Sequence, residues 1–199
     1  GYGMNTNSFF SKIEEYALLE NVPILRKEGV EFLLNFIEEK HIETALEIGT
    51  AIGYSALKMS SKGVRVTTIE RDADRYKIAK ENIESSIFKD KITLVFGDAL
   101  ETKIDGKYDL IFIDAAKGKN KEFLNIYKNN LNNNGYILID NMDFHGLVGK
   151  SKEIKKRRVR SLVRKIEDFI SYMDNQTEFK VTKINVGDGL YLLERINNE

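Results

Sequence analysis

No cysteine occurs in the 199 residues, which excludes disulfides, a zinc–thiolate site and a thiol nucleophile. That absence fits a reducing compartment, and the chain is expected to be cytoplasmic. No run of 18 apolar residues exists, so no membrane span is expected. The N-terminus lacks a basic segment followed by an apolar one and is read as carrying no signal peptide; Gly1–Gly3 precede Met4, which reads as the start. Net charge is also missing: 31 basic and 31 acidic side chains cancel. This argues against a nonspecific nucleic-acid binder as a description of the whole protein, while leaving local segregation of charge open. The two histidines, His41 and His145, are too few for a metal cluster; His145 follows Asn141 closely, which allows it to line a pocket there, but reads first as a surface-loop residue. Neither G-x-G-x-x-G nor G-x-x-x-x-G-K occurs, which disfavours an NAD-dependent dehydrogenase and a triphosphate site.

What is present is an ordinary globular balance, 42% hydrophobic and 31% charged. At this length roughly 70% of the unfolded chain's surface can be buried, so a single domain over 4–199 is expected, without repeats or linkers. Thr44–Gly49, Arg65–Glu70, Ile92–Phe96, Tyr108–Asp114 and Gly135–Asp140 are short apolar runs rich in β-branched residues. Between them Tyr54–Ser61, Ala73–Ser85 and Lys121–Leu131 have helical spacing, which implies parallel strands joined by right-handed crossovers. Phe179–Val186 and Leu190–Arg195 flank Gly187-Asp188-Gly189, a hairpin signal. The expected fold is therefore α/β: a doubly wound, mostly parallel seven-stranded sheet with a C-terminal antiparallel hairpin. Helices at Ser8–Glu20 and Lys27–Lys40, split by Pro23, form an N-terminal segment over 4–43. The cluster Asn129, Asn130 and Asn132–Asn134 reads as a helix C-terminus and turn.

In such a sheet ligands bind beyond the carboxyl ends of the strands. The first strand runs into Glu47-Ile48-Gly49-Thr50-Ala51-Ile52-Gly53-Tyr54-Ser55, whose glycines allow close backbone approach to a ligand or simply a tight strand–helix turn. The second ends in Glu70, placed to accept ribose hydroxyls or to cap the next helix. The third ends in Gly97-Asp98-Ala99, where the acid receives an amino group or caps a turn. With no phosphate loop, a nucleoside with an uncharged tail, such as S-adenosylmethionine, is the better fit. The fourth and fifth strands supply Asp114, Asp140 and Asn141, hard oxygen ligands suited to Mg²⁺ (or Mn²⁺), although Asp140-Asn141 also reads as the start of a turn. Lys117, three residues past Asp114, is expected to have a lowered pKa beside a bound cation, as a general base requires; alone it reads as a solvated lysine.

These stretches, EIGTAIGYS at Glu47–Ser55, IERD at Ile69–Asp72, GDA at Gly97–Ala99, IDAAK at Ile113–Lys117 and IDN at Ile139–Asn141, resemble the catechol/caffeoyl-CoA type of class I O-methyltransferases (O-methyltransferase family 3). The resemblance runs from about Val22 to Arg195. It implies that Val22, Glu47, Gly49, Ser55, Glu70, Gly97, Asp98, Ala99 and Asp114 bind S-adenosylmethionine. It implies Asp114, Asp140 and Asn141 as metal ligands and Lys117 as the base, and thus methyl transfer to a hydroxyl with a second oxygen beside it. Relatives in this family often dimerise, which makes a homodimer through the N-terminal helices an expectation.

Lys150–Lys165 holds nine basic residues and one acid. Val159, Leu162, Val163, Ile166, Phe169 and Ile170 follow at helical spacing, so a basic helical insertion over 150–173 is expected to pack one face on the domain. Exposed helix surfaces usually mix signs; this one segregates them, and arginine clusters favour phosphate. Lys155, Lys156, Arg157, Arg158, Arg160, Arg164 and Lys165 are the candidate RNA-binding residues. RRVRSLVRKI at Arg157–Ile166 resembles bacterial tRNA methyltransferases that convert wobble 5-hydroxyuridine to 5-methoxyuridine. That resemblance implies the tRNA anticodon loop as partner. The competing expectations are small catechols or hydroxycinnamoyl thioesters as substrates, and a nucleic-acid-binding module that has lost catalysis.

Overall fold

The computed structural model describes residues 2–196. The elements run α1 (Tyr2–Leu19), α2 (Lys27–Glu39), β1 (Thr44–Ile48), α3 (Tyr54–Ser61), β2 (Arg65–Glu70), α4 (Ala73–Glu84), β3 (Ile92–Phe96), β4 (Tyr108–Asp114), α5 (Asn120–Tyr127), β5 (Leu131–Asp140), α6 (Arg157–Asn175), β6 (Phe179–Ile184) and β7 (Leu190–Arg195). The end of the expected domain, 197–199, lies outside the described residues.

Among the described residues the strands form one seven-stranded sheet in the order β3-β2-β1-β4-β5-β7-β6. The pairs β1–β2, β2–β3, β1–β4 and β4–β5 are parallel, whereas β7 runs antiparallel to both β5 and β6. The doubly wound sheet with a terminal hairpin is thus as expected. The chain builds outward from β1 to β3 and then returns to β4 on β1's other side. Crossovers therefore diverge at β1 and β4, and a crevice opens at their carboxyl ends.

Strand residues alternate between two helical layers because successive side chains point to opposite faces. Leu46, Ile48, Ile111, Ile113, Ile137 and Ile139 meet Phe123, Leu124 and Tyr127 of α5 and Ile166, Phe169 and Met173 of α6. Ala45, Leu110, Phe112 and Leu138 face the other way, onto Leu33, Phe36 and Ile37 of α2 and Ala56 and Met59 of α3. A third cluster docks α1 through Phe10, Ile13 and Ala17 onto Ile52, Tyr54 and Leu57.

Three local expectations need correction. The asparagine cluster is a helix end only in part: Asn129 and Asn130 close the 3-10 turn that follows α5, but β5 starts at Leu131, so Asn132–Asn134 are strand residues. Pairing reaches that far because Leu131 sits opposite Tyr108, with an irregularity in register before Leu110. Asn132 Nδ2 donates to Asp109 Oδ1 at 2.8 Å, and Asn130 Nδ2 serves the carbonyls of Ile104 and Gly106. The basic helix starts at Arg157, later than expected; Ser151–Glu153 is a separate short 3-10 turn. At its far end α6 continues past 173 to Asn175, its apolar face closed by Met173. In the other direction, α1 already begins at Tyr2, ahead of the expected Ser8.

Candidate active site

A cavity of about 820 Å³ opens at the carboxyl ends of β1, β2, β4 and β5. It gathers Gly49, Ser55, Glu70, Asp114, Lys117, Asp140 and Asn141 into one crevice. Val22, Glu47, Gly97, Asp98 and Ala99 do not line it. Val22 packs against the α1 cluster, and Ala99 is buried in the core, its carbonyl accepting from the Tyr127 hydroxyl at 2.6 Å. Asp98 Oδ1 caps its own turn by accepting from Leu100 N–H, while Oδ2 lies 4.0 Å from Arg71, which does line the crevice. At Gly97 an added Cβ would meet Thr102 Oγ1 at 2.7 Å.

The turn after β1 takes its shape from two left-handed glycines, Gly49 (φ +97°) and Gly53 (φ +90°). A Cβ on Gly49 would stand 3.0 Å from Lys117 Cε, so the missing side chain is what admits the lysine stem. Glu70 ties the turn down: Oε1 accepts from Ala51 N–H at 2.8 Å and Oε2 from Asp72 N–H at 2.9 Å. Each oxygen keeps lone-pair capacity toward the cavity.

Glu47 lies beneath this turn, 1% exposed. It accepts hydrogen bonds from Ser55 Oγ and, at 2.7 Å, from Thr68 Oγ1, which in turn is 2.6 Å from Thr50 Oγ1. Burial pushes the Glu47 carboxyl up to about 7, against the opposing pull of the two hydroxyl donors. A folded-state pKa above the unfolded value of 4.5 means that the folded chain binds the extra proton between those two values. Stability is accordingly expected to fall as pH rises from about 4.5 to about 7 and then to level off, by a total of roughly 3 kcal/mol. Glu47→Gln should remove that decline, melting several degrees above the wild type at pH 8.5 and converging with it near pH 5. Equal melting temperatures of the two proteins at pH 8.5 would contradict it.

Asp114 and Asp140 are direct register partners at the ends of β4 and β5. Asp114 accepts from Ala116 N–H at 2.9 Å, capping the 3-10 turn that carries Lys117. Burial raises the pKa of both carboxyls, and each is further pushed up by neighbouring acid: Asp114 by Asp188, Asp140 by Asp114 and Asp188. Asn141 holds a left-handed backbone (φ +63°), and its Oδ1 is buried without a hydrogen-bond partner. Two crowded carboxylates beside an orphaned amide oxygen form a donor set that a hard divalent cation satisfies. Among the described residues no group of three or more His, Cys, Asp or Glu side chains is arranged to hold a metal.

One contributor was not foreseen, and one was read first as something else. Asp188 reads in sequence only as a hairpin-turn residue, yet it lines the cavity and pairs with Arg26 at 3.2 Å. No local signal gives this: it is β7 running antiparallel beside β5 that returns the Gly187–Gly189 turn to the Asp140 end of the sheet. His145, read first as a surface-loop residue with a place in the pocket as the alternative, lines the cavity next to Phe144, ring centres 5.2 Å apart. Both have left-handed backbones, a bend that turns the loop back over the crevice.

Of the basic residues, Lys155, Lys156, Arg157, Arg158, Arg164 and Lys165 are exposed, whereas Arg160 is half-buried and donates to the Ile154 carbonyl at 3.4 Å. Lys155 and Lys156 precede the helix. Where α6 passes Gly118, one residue beyond Lys117, Leu162 and Lys165 lie 3.4 Å from the position of a Cβ. Through Lys165 the basic helix thus reaches the residue that follows Lys117.

The O-methyltransferase family model matches residues 12–196, and the chain belongs to that family. A caffeoyl-CoA O-methyltransferase of Populus kitakamiensis is 26% identical over 195 residues, 92% of this chain and 82% of that protein. A Staphylococcus aureus protein provisionally named a caffeoyl-CoA O-methyltransferase is 33% identical, with a TM-score of 0.90 over 96% of this chain and 94% of that one. An O-methyltransferase from Bacillus cereus, solved in complex with SAH, shares the fold at a TM-score of 0.79 and 23% identity, over 94% of this chain and 91% of that one.

Proposed function

We propose that this O-methyltransferase moves the methyl group of S-adenosylmethionine to the 5-hydroxyl of uridine at the tRNA wobble position, with Mg²⁺ or Mn²⁺ as the assisting ion. The observation that carries the reading is the register pair Asp114–Asp140 with the orphaned Asn141 Oδ1, beside Lys117 in one cavity. S-adenosylmethionine as donor is supported by the SAH bound to the Bacillus cereus relative, because SAH is what remains after the methyl has left. The methyl group it carries is the electrophile of the reaction.

Asp114, Asp140 and Asn141 would hold the ion, which when bound would lower the pKa of a substrate hydroxyl that has a second oxygen beside it. Lys117 accepts the hydroxyl proton at Nζ. Glu70 and the Gly49–Gly53 turn hold the donor's nucleoside. Asp188, held by Arg26, adds a third negative charge that favours a cation at the Asp114–Asp140 end. The work left to the fold is orientation of two bound reactants at near-attack distance, where large rate factors arise. Exposed Leu18 and Leu19 at the end of α1 support the homodimer as part of the same reading.

The RNA substrate is supported by α6. It exposes a run of basic side chains, of which Lys165 reaches Gly118, the residue after Lys117, and a wobble base in a single-stranded loop can leave its stack to enter a pocket. Replacing Arg157, Arg158 and Arg160 with Ala should raise KM for tRNA about tenfold and flatten its dependence on log salt by about two. Methylation of a small catechol should persist. Equal loss on both substrates would make the segment structural. The direct test is transfer of labelled methyl from S-adenosylmethionine to tRNA containing 5-hydroxyuridine, with Mg²⁺ and with chelator. Transfer that is lost with chelator supports the reading, and transfer to catechol or a hydroxycinnamoyl thioester alone would replace it.

A further inference from the structure

A second hollow, of about 260 Å³, lies just past the Lys117–Gly118 turn, between the start of α5 and α6. That volume is below the range of pockets for whole drug-sized ligands and suits a single ring system. One wall is aromatic: Phe169 and Tyr172 stack at 6.4 Å, and Lys121 Nζ stands 4.7 Å from the Tyr172 ring centre. Lys165 reaches in over Gly118. Asn120, 3% exposed, forms the back. Its Nδ2 donates to the Ala115 carbonyl at 3.0 Å, while its Oδ1 is buried with no partner. Asp168 adds a second acceptor at the rim.

A buried acceptor without a donor is costly, and native structures rarely keep one unless something else supplies the hydrogen. An aromatic wall, acceptors inside and ammonium groups at the rim are complementary to one nucleotide. The base stacks, its N–H groups meet Asn120 Oδ1 and Asp168, and its phosphate meets Lys121 and Lys165. Uracil offers only one N–H, flanked by two carbonyls that a carboxylate repels, whereas adenine, cytosine and guanine present an amino group.

We propose that this hollow is a subsite for the nucleotide next to the one that is methylated, selective for a base with an exocyclic amino group. It rests on the RNA reading of the main crevice and gives that reading a second point of contact.

The test is titration of nucleoside 5′-monophosphates into the full chain with S-adenosylhomocysteine saturating, so that a nucleoside site in the main crevice is filled. AMP, CMP and GMP should bind about tenfold more tightly than UMP, the low end of what one hydrogen bond to a charged group supplies. Tyr172→Ala should weaken binding about tenfold through lost stacking, and Tyr172→Phe should retain it. Asp168→Ala, at an exposed position, should erase the base preference without unfolding the chain. No binding at millimolar concentration, or binding unchanged in both Tyr172→Ala and Asp168→Ala, would overturn the proposal. The expected binding pattern together with failure to methylate 5-hydroxyuridine RNA would uphold the nucleotide site and sink the substrate reading instead.

Discussion

Asp140→Ala is expected to lower kcat/KM for methyl transfer by about 10³-fold or more, while affinity for S-adenosylhomocysteine changes by less than about twofold. The asymmetry follows from position. Asp140 ends β5 opposite Asp114, whereas the end of the crevice proposed for the nucleoside is built by the Gly49–Gly53 turn and Glu70, from β1 and β2. The same substitution removes a carboxylate whose ionisation is opposed by burial and by Asp114 and Asp188. Without added cation the variant should therefore melt no lower than the wild type, because a source of like-charge repulsion has gone. A merely structural Asp140 would give the opposite pair of results, with reduced stability and a matching loss of cofactor affinity. Full turnover of the variant in chelator would remove the ion from the reaction altogether.

Lys117→Met should reduce kcat by about 10²–10⁴-fold, the span usual for loss of a positioned acid or base, with a much smaller change in KM. The residual rate should climb with pH, because the variant can use only substrate that is already ionised. Lys117→Arg separates proton transfer from charge. A guanidinium keeps the positive charge but does not give up its proton in this pH range, so it should not restore the rate. If Lys117→Arg kept more than half of the wild-type rate, the lysine would act through its charge alone. The exposed ammonium, its stem seated over Gly49, has the freedom that a proton acceptor needs.

The parallel strands were legible because their apolar, β-branched runs are bounded by polar or glycine residues. Arg65–Glu70, Ile92–Phe96 and Tyr108–Asp114 match to the residue. Asp114 and Asp140 were legible for a related reason, since strand-end polar residues of a doubly wound sheet lie beside the crevice, and Lys117 because it sits on the turn directly after β4. What stayed hidden depended on tertiary pairing. Asn132–Asn134 have the composition of a turn, but Leu131 opposite Tyr108 extends the strand through them. Asp188 has the local chemistry of a hairpin turn, and its place beside Asp140 comes only from β7 lying antiparallel to β5. Lys150–Lys156 carry the charge of the basic helix but not its regular structure. The apolar face that anchors α6 on the sheet is set by Val163, Ile166, Phe169 and Met173, further along the chain.

Nucleoside mass spectrometry of tRNA from cells lacking this chain tests the central claim most directly. Wobble 5-hydroxyuridine should accumulate where 5-methoxyuridine disappears, and both should return to normal when the chain, but not its Asp140→Ala variant, is restored. An unchanged nucleoside profile would contradict the account.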